Sequence, residues 1–228
     1  IIIELDQEES YEDFGTLSPE SVSKEALIKH MKKSGLFSQI RKRPFNLLVN
    51  PEETPRDIFV KAIESAPFAC PAEHQVLGFE KEFQIGLTAL STLTNGKVHL
   101  TYHKKSTLPA FTNAQDVEKH TIEGPHPSGN LSTHIHFIAP IRTVEESVWT
   151  LHASDVVCLG VSLSQGKLHI ERSLSIAGPG ITAQARGFYK GRAGLPIANL
   201  IDSKNDNGWI RYISGDPLTG TQVTPEEF

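Results

Sequence analysis

The stretch "AEHQVLGFEKEFQIGLTALSTLTNGKVHLTYH", residues 72–103, decides the fold class. Val76, Phe79, Phe83, Leu87 and Leu90 recur at steps of three and four, the spacing of one apolar face of a helix. Asn95-Gly96 then signals a turn, and "KVHLTYH", 97–103, predicts a strand. Outward from this helix–strand pair the alternation continues. Upstream, "DIFVKAI", 57–63, is a short apolar run that suits a buried strand. Downstream, "DVEKHTIEG" and "SVWTLHA" predict two more strands, and "SDVVCLGVSL" a helix capped by Ser154. Further upstream, "LSPESVSKEALIKHMKKSG" predicts a helix with Ser18 as N-cap, Pro19 at its first position and Gly35 at its end. Val22, Ala26, Leu27 and Met31 form its apolar stripe. Pro44 and Pro51 bracket "FNLLVN", an irregular or extended piece. Residues 18–165 thus alternate helix and strand, the pattern of an α/β domain with a parallel sheet.

Composition changes after Gln165-Gly166. "KLHIERSLSIAG" and "WIRYISG" predict strands, "IANLI" a helical turn and "DSKNDNG" a polar turn. Residues 166–228 therefore suit a small α+β domain. Its glycines, Gly178, Gly180, Gly187, Gly191 and Gly194, suit turns, or a close approach to a ligand or partner; Lys190 and Arg192 suit a docking face. Residues 1–17 are an apolar piece and an acidic linker. The chain opens on Ile1-Ile2-Ile3 without an initiator Met or a signal-peptide pattern, and ends at "TPEEF". The expectation is a fragment of a longer protein, with 1–17 closing a truncated N-terminal domain and 166–228 truncated at its C-terminus.

The bulk numbers exclude several classes. The 228 residues are 38% hydrophobic and 21% charged, with a net charge of −5. A mildly acidic chain lacks the clustered basic face that phosphate contacts need, so no nucleic-acid partner is expected. Arg41-Lys42-Arg43 is the one dense basic run and reads as a solvated loop. No apolar run has the ~20 residues of a membrane helix. Cys70 and Cys158 suit free buried thiols, and two cysteines are too few for an iron–sulfur cluster. No G-x-S-x-G elbow, P-loop or Cys-x-x-Cys marks a catalytic residue.

"GPHPSGNLSTHIHF", 124–137, gathers three histidines between glycines and prolines. On a strand His134 and His136 would share a face and form a zinc pair; on a helix they point roughly 200° apart. With no third ligand nearby in sequence, no metal is expected here. A structural turn with packed imidazoles is preferred, and a ligand contact by His126 or His134 stays open.

Three segments carry a resemblance: "MKKSGLFSQIRKRPF" (31–45), "GPHPSGNLSTHIHFIAP" (124–140), and the tail "ERSLSIAGPG" with "ISGDPLTGT" (171–221). In these, over essentially the whole chain, the sequence resembles the A-subunit family of the Na+-translocating NADH:quinone oxidoreductase. That family is related to the flavin- and NADH-binding subunit of complex I and to the Rnf C-type subunit. The resemblance implies a Rossmann-like α/β domain over 18–165, followed by a β-grasp domain over 166–228. It also implies a peripheral position on the cytoplasmic side of the bacterial inner membrane, docked on membrane-embedded subunits, with ubiquinone as substrate of the complex.

The departures from the flavin-binding relatives predict a lost site. Their glycine-rich loop brings backbone N–H groups to the flavin phosphate. Here Gly35 is kept, but Ser38, Ile40, Arg41 and Arg43 stand at later glycine positions. Their N-G-x-E-x-E-P run becomes Lys61 to Pro67, keeping Glu64 and replacing the second acid by Ala66. Their P-x-G-x-E turn becomes Pro127 to Leu131. The expectation is no cofactor on this chain, with FMN, FAD, riboflavin and an iron–sulfur centre on other subunits. His126, Gly129, His134 and Phe137 are the candidate quinone contacts, and Phe68, Phe83 and Trp149 suit either a quinone lining or plain core. Two alternatives stand beside this: a flavin or nucleotide domain that keeps an anion site at Arg41, Arg43 and Glu64, and a pure scaffold.

Overall fold

Ser23 opens the first helix. Its backbone sits in the extended region, and its hydroxyl accepts the Ala26 N–H at 3.2 Å, so α1 spans Lys24–Lys33. The structure, a computed structural model, describes residues 10–200 and 210–224. Ser18 does not cap this helix. Its carbonyl accepts the Val22 N–H at 3.0 Å in a separate turn, and the helix begins only after it. Gly35, at φ +72°, ends α1 in the left-handed conformation that costs glycine least. A single tight turn, Leu36–Gln39, leads into strand β1, Arg41–Arg43, and its hairpin partner β2, Leu47–Leu48. The basic run is thus a paired strand rather than a solvated loop.

Strand β3 spans Asp57–Ala62. The long predicted helix divides into α2, Ala72–Val76, and α3, Glu80–Ser91, because Gly78 turns the chain at φ +87°. Then follow β4, Val98–His103; a short turn of helix, α4, Pro109–Thr112; β5, Glu118–Ile122; and α5, Leu131–Ile138. Strand β6, Val148–His152, runs directly into α6, Ala153–Gln165.

These strands form one six-stranded sheet in the order β2-β1-β6-β3-β4-β5. The block β6-β3-β4-β5 is parallel, and β1 runs antiparallel beside β6. The result is the mostly parallel α/β sheet that the alternation predicts, consistent with the Rossmann-like domain that the resemblance implies. From β3 the chain winds outward through β4 and β5, then returns to lay β6 on the other side of β3. That reversal is a topological switch point.

The two sheet faces sort the side chains by parity. Ile58, Val60 and Ala62 of β3, with Val98, Leu100 and Tyr102 of β4, join the main core with α3 and α6. Phe59 faces the other way, onto Ile135 of α5 and Val148. His99 and Thr101 share this second face of β4. Two helix glycines set the close crossing of α3 and α6: a Cβ on Gly86 would lie 2.3 Å from Val156 O, and one on Gly160 1.7 Å from Glu82 O.

Beyond the sheet, β7, Glu171–Ile176, pairs with β8, Gly187–Arg192, and β9, Tyr212–Ser214, pairs with β10, Thr221–Val223, both antiparallel. The predicted apolar piece at 1–9, the polar turn at 202–208 and Trp209 lie outside the described residues. Cys70 and Cys158 are both free and buried. Among the described residues no helix is long and apolar enough to cross a membrane.

Candidate functional site: the crevice at the switch point

In open α/β sheets, ligands bind beyond the carboxyl ends of the strands where the strand order reverses. Here that place lies between the ends of β3 and β6. From the end of β3 the chain leaves the sheet as Ile63 to Phe68; from β6 the N-terminus of α6 opens at once. The turn 124–130 packs onto this edge.

Glu64 sits among opposite charges. Its Oε2 lies 2.8 Å from Lys61 Nζ, and its Oε1 3.9 Å from His152 Nδ1. Burial alone would raise its pKa, but the His152 imidazole and the Lys61 ammonium outweigh that and hold the carboxyl below its ordinary value. Across the crevice Asp155 accepts the His152 N–H at 2.9 Å. Burial pushes its pKa up against this hydrogen bond and the His152 and Arg172 charges.

Ser65 fastens the turn 124–130. Its hydroxyl accepts the Gly129 N–H at 2.8 Å and lies 3.1 Å from His126 Nδ1. Gly129 is required here, because a Cβ would stand 2.7 Å from Ser65 Oγ and 2.9 Å from Ser65 N. His134 locks the same turn from beneath. Its Nε2 lies 2.9 Å from the Ser128 carbonyl, which can only accept, so Nε2 carries the proton. Nδ1 is then bare and accepts from the Thr101 hydroxyl at 2.8 Å. The ring is 1% exposed, and burial, the largest influence, lowers its pKa to about 4.

The stretch from Gly35 leads into β1, which starts with Arg41 opposite Thr150 and runs to Arg43 opposite Val148 at the amino end of β6. Ile40 is fully buried in the main core. Arg41 turns back to the Ser38 carbonyl, its Nη1 at 2.6 Å, while Arg43 donates to the Ser132 hydroxyl on α5. The edge of Trp149 meets Phe37.

Residues 22–168 match the family model for the NqrA second alpha/beta domain. The chain belongs to the NqrA family. It is 33% identical over 226 residues to the A subunit of the Na(+)-translocating NADH-quinone reductase of Saccharophagus degradans, covering 98% of this chain and 49% of that protein. The same-named protein of Chlamydia pneumoniae is 32% identical over 218 residues, 93% of this chain and 47% of its own length. That of Vibrio campbellii is 31% identical over 226 residues, 98% and 50%. The chain spans about half the length of these relatives.

In this NqrA domain the structure gathers His126, Gly129 and His134 around Ser65 and Ser128. Phe137 does not join them; its ring is 79% exposed and touches His136 edge-on. Phe68 is also exposed, at 60%, with a backbone φ of +65° that bulky residues rarely adopt. Phe83 and Trp149 are core. Glu64 stands in the crevice, while Ala66 contributes its carbonyl to the turn that follows. The sequence did not single out Ser65, Lys61, His152 or Asp155. Ser65 carried a faint signal, since it stands between the two acid positions of the relatives' motif. A group of potential metal ligands, His99, Glu118 and His120, lies on β4 and β5 with ligand atoms within 4.8 Å of one another.

Proposed function

We propose that the chain is the central part of the A subunit of a Na+-translocating NADH:quinone reductase. The complex oxidises NADH, reduces ubiquinone and moves Na+; this part of it is an accessory that binds no flavin. It contacts quinone and helps to assemble the complex, docked on membrane-embedded subunits at the cytoplasmic face of the inner membrane. Its glycine-loop counterpart and acid motif are relics of a nucleotide site.

One observation carries this: the polar groups of the crevice and of the stretch 35–43 are spent on partners within the protein. A flavin phosphate needs open N–H groups and a cation. Arg41 is committed to the Ser38 carbonyl, Arg43 to Ser132, and Lys61 to Glu64. Ile40 occupies the core where the flavin-binding relatives carry a bare glycine. The polar Ser65–His126 pair and the exposed Phe68 ring suit a neutral, planar ligand with carbonyl acceptors instead.

The test uses the whole complex. Phe68→Ala and His126→Ala should each raise KM for a short-chain ubiquinone by about tenfold, roughly 1.4 kcal/mol of binding. NADH oxidation by an artificial acceptor should be unchanged. An unaltered ubiquinone KM in both variants would remove the quinone contact from this crevice and leave assembly alone.

A further inference from the structure

We propose that His99, His120 and Glu118 form a divalent-cation site of the zinc class on the sheet face opposite the main core, with Asp57 holding the His99 ring. The sequence expectation of no metal weighed only the histidines of 124–137, and this cluster uses none of them.

Parallel pairing builds the site. His99 of β4 stands opposite Glu118 of β5, and His120, two residues on, points to the same face. His99 Nδ1 lies 3.0 Å from His120 Nε2 and 3.6 Å from Glu118 Oε2. Donors around a tetrahedral zinc with bonds near 2.1 Å stand about 3.4 Å apart, between these two separations, and the ligand atoms of all three residues lie within 4.8 Å of one another. Glu118 also pairs through Oε1 with Lys97 at 3.3 Å, which leaves Oε2 turned to the histidines.

The alternative is a hydrogen bond between two imidazoles, in which His99 Nδ1 accepts from His120 Nε2–H at 3.0 Å. The His99 ring is 4% exposed and wedged on Phe59, its centroid 4.6 Å away. Asp57 Oδ1 lies 3.8 Å from Nε2, and Glu118 Oε2 lies 3.6 Å from Nδ1. A proton on Nδ1 aims the bare Nε2 lone pair at Asp57; a proton on Nε2 leaves Nδ1 as an acceptor shared with His120 and turns Nε2–H toward Asp57. His99 Nε2 is in fact a buried nitrogen with no hydrogen-bond partner. In the second tautomer a cation can stand in place of the proton shared between the two rings. It takes the lone pairs of His99 Nδ1 and His120 Nε2 together with Glu118, and Nε2–H then faces Asp57 in a carboxylate–histidine–metal arrangement.

Two imidazoles and one carboxylate are a borderline donor set that suits Zn(II) over Mg(II) or Ca(II). Glu118 is half-exposed, so the fourth position opens to water. β5 is the outer strand of the sheet, and the cation ties it to β4.

The experiment is a Zn(II) titration of chelator-stripped protein against a chromophoric competitor, with Co(II) as a spectroscopic substitute. The expected result is one equivalent of tight Zn(II), and Co(II) bands of four- or five-coordinate geometry. His120→Ala and Glu118→Gln should each weaken Zn(II) by about tenfold or more, while His136→Ala, on the exposed face of α5, should not. Glu118→Gln changes a half-exposed side chain, so it reports on the site even where His120→Ala perturbs the strand. Zn(II) affinity unchanged in both variants, or no stoichiometric binding, would overturn the site.

Discussion

His134 uses both of its ring nitrogens inside the protein, and that fixes how the molecule responds to acid. Its folded pKa is lowered from 6.5 to about 4, while the unfolded chain keeps the ordinary value. The stability contributed by the neutral ring is therefore fully present above pH 6.5 and is lost as pH falls toward about 4. Denaturant unfolding should show the wild type losing ~3 kcal/mol more than His134→Gln between neutral pH and about pH 4. Equal losses would mean that the ring is not buried as a neutral donor–acceptor. The sequence pointed to packed imidazoles but could not say which histidine, because burial depends on Thr101, thirty-three residues away. The cluster of His99, Glu118 and His120 was hidden for the same reason. Alternate residues on two strands meet only through the β4–β5 register.

At the scale of elements, types were legible and edges were not. Strands β3, β4 and β6 fall where the apolar pattern put them, since a buried strand must be apolar whatever its neighbours; β5, polar and largely exposed, also falls within its predicted stretch. The helix at 72–94 reads as one because its periodicity runs across Gly78, whose positive φ breaks it without disturbing the pattern. Strand β1 was missed because Arg41-Lys42-Arg43 carries no apolar signal; it is held by antiparallel pairing to β6. Gly160 gave no local hint either, yet it decides how closely α6 approaches α3. Gly160→Ala should destabilise the protein by at least about 3 kcal/mol, read from urea midpoints, because its Cβ meets backbone that cannot swing aside. A loss below about 1 kcal/mol would show that the crossing is slack.

For the whole molecule, alternation of helix and strand revealed the class, but only the sheet order reveals where the crevice lies. The reversal between β3 and β6 collects 61–68, 124–134 and 152–155, three segments that look unrelated along the chain. The resemblance singled out two of them; the third, at His152 and Asp155, needed the topology. Their mutual pairing is the physical content of the claim that a nucleotide site has closed upon itself. The most direct test follows backbone amide NMR shifts while the chain is titrated in parallel with FMN and with a short-chain ubiquinone. The account predicts saturable ubiquinone shifts over 64–68 and 124–134 and none with FMN. Saturable FMN shifts over 35–45 would contradict it.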